Sequence, residues 1–198
     1  MRIIHFFTNS KHALKEDNEN YRKPAEKFDD LAKKIYLVLK PLGYRKEASN
    51  FRLIQNGNLG KVINLQKSSY NNQECCSFTV NIGYYIEAGN IENKRFKEYE
   101  CIVRVRPACI SDKYKKDTWW EITDNTDIEG LYKELEEFIY SDIIPFLNYC
   151  QSREDLIQKV IDDSFIEELK CGYYNISINV LKKIGYVQEA EKLLMKRK

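Results

Sequence analysis

The segment FTVNIGYY, residues 78–85, alternates two kinds of side chain along an extended backbone. One side carries Phe78, Val80, Ile82 and Tyr84, and the other carries Thr79, Asn81, Gly83 and Tyr85. Because successive side chains of a strand point to opposite faces, the first set predicts a buried sheet face. The second set is polar but uncharged. It is open to two interpretations, a binding surface or an ordinary solvated surface.

Neighbouring segments extend this pattern into a sheet. The sequence NFRLIQNGNLGKVINLQK predicts two strands around the turn residues 56–60, and ECIVRVRPAC predicts a strand that ends near Pro107. The same parity predicts that the inward side chains are Phe51, Leu53, Ile63, Leu65, Cys101, Val103 and Val105. The opposite face would then carry Arg52, Asn64, Gln66, Thr79, Asn81, Arg104 and Arg106. We expect Val80 and Ile82 to be buried against helices and Asn81 to be exposed.

The sequence predicts helices both before and after the strand segments. Residues 24–39 place apolar side chains on one helical face, with Pro41 and Gly43 ending the helix. Thr126 and Glu129 have capping-box spacing before a second helix, and Ser152 and Ser164 begin later ones. The end of the chain predicts an αα-hairpin around Gly185 and Tyr186. The fold class is therefore α+β: an antiparallel meander of about four strands, packed on one face by helices. We predict a core domain over residues 1–150 and a C-terminal helical extension over residues 151–198.

Composition narrows the classes of protein. The chain has 198 residues, 13% aromatic residues and a net charge of +2. This balance is far from that of disordered chains and supplies no global field that would attract nucleic acid or an anionic membrane, and no apolar run is long enough to span a bilayer. Six cysteines occur without a CxxC motif, and neither His5 nor His12 has metal-ligand spacing with them. The first residues lack a secretory signal, so we expect a cytoplasmic protein with reduced cysteines, no metal and no cofactor.

The arginine-bearing face is the candidate binding site. Arg104 and Arg106 lie two residues apart on one strand, and their planar guanidinium groups suit a carboxylate or a phosphate. If they are instead structural, they would pair with an acid such as Asp117 or Glu121. Since adjacent residues point apart, one of Trp119 and Trp120 is expected to pack in the core and the other to cap its rim, although stacking on a flat ligand is an alternative. The candidate binding residues are Arg104, Arg106, Gln66, Asn81, Trp119 and Trp120.

Several segments together resemble a known family. INLQKS, CSFTVNIG, RVRPACI and DTWWEI follow a helix that ends in LKPLGYRKEASNFRL. In this order they resemble the bacterial family called domain of unknown function 4304, over roughly residues 25–148. The resemblance implies one α+β domain in the bacterial cytoplasm and no known activity. Pro107 and Ala108 depart from the family pattern, which leaves the end of the arginine strand open.

Catalytic motifs are missing from the sequence. There is no Walker A loop, GxGxxG, GxSxG or HExxH motif and no paired catalytic carboxylates, so we predict no catalytic residue, although a base built from His5 or His12 stays open. The sequence favours a non-enzymatic interaction module with a protein partner, of which an immunity or antitoxin-like protein is one form by analogy. The alternative is an enzyme or ligand-binding domain for a small anionic substrate that uses Arg104 and Arg106. RNA binding by the sheet is a weaker alternative.

Overall fold

The computed structural model describes residues 22–114, 116–170, 172 and 174–196. His5, His12 and Cys171 lie outside the described residues. The strands are β1 (Arg45–Glu47), β2 (Asn50–Gln55), β3 (Leu59–Lys67), β4 (Cys76–Tyr85), β5 (Val103–Val105), β6 (Trp120–Ile122) and β7 (Tyr174–Ile176). The α-helices are α1 (Pro24–Leu39), α2 (Pro107–Ile110), α3 (Ile128–Phe138), α4 (Ile144–Asn148), α5 (Arg153–Ile161), α6 (Ser164–Glu168), α7 (Ile178–Lys183) and α8 (Val187–Lys196).

The seven strands form one antiparallel sheet in the order β1-β2-β3-β4-β5-β7. Strand β6 also pairs with β4, at the end of β4 that β5 leaves free. The four predicted strands are β2, β3, β4 and β5, and the α+β class is confirmed. The prediction of about four strands was too low because β1, β6 and β7 have three residues each. Strand β5 is equally short, but it lies in the longer alternating segment ECIVRVRPAC.

One face of the sheet, which we call the helix face, carries the main core. Val80, Ile82 and Tyr84 are fully buried there together with Leu31 and Ile35 of α1. Apolar side chains of α3, α5, α7 and α8 join the same cluster. Helix α3 continues through a π-helical turn at Ile139–Ile143 into α4. Pro145 follows this turn and has no N–H to donate to a regular helical hydrogen bond. Burial of Val80 and Ile82 confirms the predicted strand parity.

The opposite face, which we call the second face, is not a solvated surface. A loop between β4 and β5 packs Ile91, Phe96 and Cys101 onto Val62 and Tyr85 and forms a separate apolar cluster. A Cβ atom on Gly83 would lie 2.9 Å from the Cys101 sulfur, so the loop can approach only because residue 83 has no side chain. The prediction that Cys101 faces the helices was therefore wrong. Strand β5 begins two residues later, at Val103, and Cys101 turns the other way.

Exposure of Asn81 was also predicted wrongly. Both Thr79 and Asn81 have 0% of their surface exposed. The polarity of these side chains indicated their chemistry correctly, but it did not show that neighbouring side chains cover them.

The ends of the predicted elements agree with the structure at most positions. The β2–β3 turn contains Asn56 and Gly57 with positive φ, and Ser152 caps α5 by accepting a hydrogen bond from the N–H of Asp155. Helix α3 is capped by Asp127 and not by Thr126, whose hydroxyl instead accepts from the N–H of Thr123. Pro107 ends the arginine strand and begins α2, as expected for a proline in the first turn.

The C-terminal extension contributes to the sheet as well as to the helices. Its αα-hairpin, formed by α7 and α8 around Gly185, agrees with the prediction. In addition, β7 pairs with β5 along the register Val103↔Ile176 to Val105↔Tyr174, so the extension is not exclusively helical. The domain boundary after residue 150 stays a prediction.

Candidate functional site

A line of amide side chains crosses the second face, and we call it the amide ladder: Asn50, Asn64, Asn81 and Gln66. The register places Asn50 opposite Asn64 and Asn64 opposite Asn81 on three neighbouring strands. Asn64 donates to the side-chain oxygen of Asn50 at 3.0 Å, and Asn81 donates to those of Asn64 at 3.1 Å and Gln66 at 2.8 Å. Directly opposed residues lie close enough for such bonds, so the sheet itself aligns the ladder.

Arg106 continues the ladder just beyond the next strand, because β5 ends at Val105 and does not include Arg106 as the sequence predicted. It follows Val105, which pairs with Ile82, and therefore lies beside Asn81. One of its Nη atoms donates to Gln66 Oε1 at 3.5 Å, and its Nε atom lies 3.8 Å from a carboxylate oxygen of Asp117. The guanidinium carbon is 5.5 Å from the centre of the Trp119 ring, within cation–π range. Arg106 thus joins the amide ladder to the tryptophan segment.

Several polar atoms at this junction are buried without a hydrogen bond. Within the part of the chain that the structure describes, Thr79 Oγ1, Asn81 Oδ1, Arg106 Nη1 and Asp117 Oδ1 have no hydrogen-bond partner. Buried polar groups in folded proteins are nearly always paired, and leaving one unpaired costs about 1–3 kcal/mol. These four atoms, one of them on Arg106 itself, therefore indicate a place where water or a ligand group supplies the missing hydrogen bonds.

A hollow of about 250 Å³ opens beside this junction, and we call it the arginine hollow. Its lining residues are Arg104, Arg106, Asp117, Gly172 and Tyr174. Arg104 lies opposite Gly83 on one side and Asn175 on the other, and both arginines point to the second face, as predicted. Two guanidinium groups and one carboxylate line the hollow, so its lining carries a net charge of +1.

Burial affects the pKa of Arg106 more than the neighbouring carboxylate does. Burial lowers the pKa of Arg106, and the Asp117 carboxylate offsets part of this effect. Because guanidinium groups stay protonated in proteins, Arg106 remains a cation with incomplete solvation. The long distance of 3.8 Å to Asp117 makes this a weak pairing that a better-placed anion could replace. The arrangement favours binding of a carboxylate.

The two tryptophans take separate places, as the sequence predicted for adjacent residues. Trp120 is 8% exposed, packs on Phe78 at 5.6 Å between ring centres and donates to a carboxylate oxygen of Glu134. Trp119 is 39% exposed and donates to Asp117 at 3.1 Å. Trp119 therefore borders the arginine hollow, whereas Trp120 belongs to the core and lies outside the site.

Of the six candidate residues, the structure brings together Arg104, Arg106, Gln66, Asn81 and Trp119, and it places Trp120 elsewhere. The sequence interpretation missed Tyr174 and Gly172, since β7 shows no strand pattern, and it missed Asn50 at the start of the amide ladder. Asp117 was expected only as a structural partner of the arginines. A signal for Asn50 was present, because it shares the parity of Arg52.

The described residues contain neither a metal-ligand cluster nor a helix able to span a membrane. Among residues 22–114, 116–170, 172 and 174–196, no three His, Cys, Asp or Glu residues come together as a metal site would require. No helix in these ranges is both long and apolar enough to cross a membrane.

The comparisons with known proteins concern the family alone. A family model described as Domain of unknown function (DUF4304) matches residues 35–149. This range contains Arg104, Arg106 and Asp117, and it ends before Gly172 and Tyr174. No curated protein and no solved structure matches the chain.

Proposed function

This chain belongs to the family described as Domain of unknown function (DUF4304), and we propose that it is a non-enzymatic binding domain that receives an acidic side chain of a protein partner in the arginine hollow. The observation that carries the proposal is the Nη1 donor of Arg106, which is buried and has no hydrogen-bond partner among the described residues. A partner carboxylate that accepts from Arg104 and Arg106 would complete the unused donor capacity of the guanidinium groups.

The size of the hollow favours a side chain over a whole small molecule. Small-molecule sites usually enclose about 300–1,000 Å³, and the arginine hollow encloses about 250 Å³. A single Asp or Glu side chain fills only part of such a volume, and the rest of its chain would lie across the rim. The half-exposed Trp119 at this rim resembles the aromatic residues that dominate the energy of protein interfaces.

Asp117 pairs only weakly with Arg106, so a carboxylate of the partner can replace it. The Asp117 carboxylate lines the same hollow as Arg106 and lies 3.8 Å from Arg106 Nε, a distance too long for a hydrogen bond. An incoming carboxylate therefore exchanges a weak internal pairing for a stronger external one, and Asp117 keeps its hydrogen bond to Trp119. An uncharged ligand could not form this charge-assisted pairing with Arg106, so we expect uncharged ligands to be excluded.

Peptide capture by the full chain tests the proposal. A bead-displayed library contains Asp and Glu peptides and their Asn and Gln counterparts, and we expect capture of acidic peptides only. The double variant Arg104→Gln plus Arg106→Gln should weaken capture by about tenfold or more, because the charge-assisted hydrogen bonds are lost. Lys133→Gln plus Lys192→Gln is the matched control, since it removes the same charge from two exposed positions elsewhere.

Arg104→Gln alone keeps the test decisive if the double variant is unstable. Arg104 forms no part of the amide ladder, so this variant should fold and still lose capture. Capture that needs no acidic residue, or that survives Arg104→Gln, would contradict the proposal. A melting temperature that drops sharply in Arg106→Gln, with capture unchanged in Arg104→Gln, would assign the arginines a structural role.

A ligand-binding domain for a small anionic substrate is the second candidate, and the same two arginines favour it. Titration with acetate, succinate and glutamate distinguishes the two: a rise in melting temperature that Arg104→Gln abolishes supports the small ligand. RNA binding has less support, since Trp120 is buried and Trp119 alone offers no extended stacking platform. The immunity or antitoxin role stays a prediction.

A further inference from the structure

A second hollow lies at the other edge of the sheet, and we call it the edge hollow. It encloses about 510 Å³ where β1, the β2–β3 turn and the loop after β4 meet. Five basic side chains and one acidic side chain line it: Arg45, Lys46, Arg52, Lys94, Arg95 and Glu47. The lining therefore carries a net charge of +4 on a chain whose total is only +2.

Arg52 forms the buried part of this lining. It is 5% exposed, its Nε atom donates to the carbonyl oxygen of Phe96 at 2.6 Å, and its Nη1 atom donates to Glu47 at 3.0 Å. The remaining Nη2 atom is buried and has no hydrogen-bond partner among the described residues. Because the other two nitrogens fix the plane of the guanidinium group, Nη2 is held in place as a free donor.

The surrounding charges add to this unpaired donor. Arg45 lies directly opposite Arg52 in the β1–β2 register, a position in which like charges oppose each other. Glu47 is shared, since its second oxygen lies 3.1 Å from Arg95 Nε. A single carboxylate thus serves two arginines of a five-cation lining. An anion in the edge hollow would relieve the remaining repulsion.

The basic side chains are carried by a firmly attached loop. The N–H of Ile91 donates to the carbonyl oxygen of Gly57 at 2.7 Å, which ties the loop to the β2–β3 turn. Phe96 stacks on Tyr85 with 4.3 Å between ring centres, and the N–H of Arg95 donates to Asn93. The backbone that carries Lys94 and Arg95 is therefore placed before any ligand arrives, which lowers the entropic cost of binding.

We infer that the edge hollow binds the phosphate groups of a small phosphorylated molecule or of free polyphosphate. Phosphate is favoured over a carboxylate because four excess cations suit a ligand with several negative charges, and arginine pairs with phosphate oxygens in a bidentate manner. The volume lies within the range usual for small-molecule sites. The site is separate from the arginine hollow, because β3 and β4 and the apolar cluster of the second face lie between β2 and β5.

Calorimetric titration of the full chain with inorganic phosphate, pyrophosphate and a nucleoside triphosphate tests the inference. We expect pyrophosphate to bind, and Arg45→Gln plus Lys94→Gln to weaken it by about tenfold or more. Both side chains are exposed, so this variant should fold normally even if Arg52→Gln does not. Lys133→Gln plus Lys192→Gln is again the control with the same change in net charge.

The outcomes separate cleanly. Binding of pyrophosphate that Arg45→Gln plus Lys94→Gln weakens, and that Arg104→Gln leaves unchanged, supports a phosphate site at the edge hollow. Binding of the nucleoside triphosphate alone, with the same dependence on the variants, supports it too and identifies the phosphate as part of a nucleotide. No binding of any probe to the folded wild-type chain would overturn the inference, as would an equal loss in the control variant.

Discussion

On one face of β4, Val80 and Ile82 belong to the apolar core beneath the helices, and on the other face Asn81 bonds to two amide side chains beside Thr79. All four side chains are almost fully buried. The helix face is stabilised by contacts that have no preferred direction. The second face depends on individual hydrogen bonds, and some of its buried atoms have no partner among the described residues. The two faces are therefore equally buried, but within the described ranges only the second face leaves buried polar atoms without hydrogen bonds. We place the binding site on the second face for this reason.

The largest expected effect comes from adding a charge to either face of β4. Val80→Asp should abolish cooperative unfolding in a thermal melt, because an unpaired charge in the main core costs more than about 4 kcal/mol. Asn81→Asp removes the donor that serves Asn64 and Gln66 and should lower the free energy of unfolding by about 2–4 kcal/mol. A mild effect of Asn81→Asp would show that the second face is open to solvent in solution.

The neighbouring tryptophans sharpen the contrast between core and rim. Trp120→Ala should lower the free energy of unfolding by about 3–5 kcal/mol, because it leaves a cavity beside Phe78. Trp119→Ala should cost less than about 1 kcal/mol, since its ring is partly exposed. Urea denaturation measures both. Similar costs for the two variants would mean that the rim belongs to the folded core.

Lys61 is the exception on the helix face and offers a smaller test. It is 2% exposed, donates to Asn148 at 3.3 Å, and burial lowers its pKa. Lys61→Met should raise the free energy of unfolding at pH 7 by about 1 kcal/mol or more, because the buried charge is removed. Lys61 therefore binds its proton less tightly in the folded chain than in the unfolded chain.

The pH dependence of Lys61 has a definite sign. Between the lowered folded pKa and the unfolded value of 10.5, the unfolded chain binds more protons, so wild-type stability should rise with pH in that window. The advantage of Lys61→Met should therefore shrink as the pH rises toward 10. Urea denaturation at pH 7 and pH 9 checks this, and an advantage that grows with pH would contradict it.

The smallest stability effect is expected for Asp117→Asn, which acts on the second face alone. The pairing with Arg106 is partly buried but long, at 3.8 Å, and contributes about 0–1 kcal/mol, so the melting temperature should change little. Affinity for acidic peptides should rise several-fold, because no internal carboxylate competes for the arginine. Surface immobilisation of one acidic peptide measures it. Loss of affinity would show that Asp117 positions the arginine and does not compete with the ligand.

Much of the sheet could be predicted from the sequence because its parity is a local property. The alternation over residues 78–85 identified the buried set of β4, and the adjacency of Trp119 and Trp120 predicted that one would be core and one rim. Coverage of the second face could not be predicted in this way. It depends on a loop that packs Phe96 and Cys101 onto Val62, and loop packing leaves no periodic signal.

The site was predictable in its chemistry but not in its shape. The sequence predicted Arg104 and Arg106 two residues apart on one strand and therefore on one face. The structure ends β5 at Val105, but the backbone of Arg106 is still extended. Tyr174 reaches the same hollow from a position about 70 residues further along the chain, through a pairing of two three-residue strands. Such short strands carry almost no pattern, and their pairing is decided by the tertiary structure.

The pairing of β5 with β7 also divides the arginine hollow between two stretches of the sequence. Arg104, Arg106 and Asp117 lie inside the segment that defines the family, whereas Gly172 and Tyr174 lie beyond it. Substitutions at Gly172 or Tyr174 would therefore change one wall of the hollow and leave its three charged side chains in the sequence. For the binding role proposed above, such changes would keep the attraction for an anion and alter which anion fits the hollow.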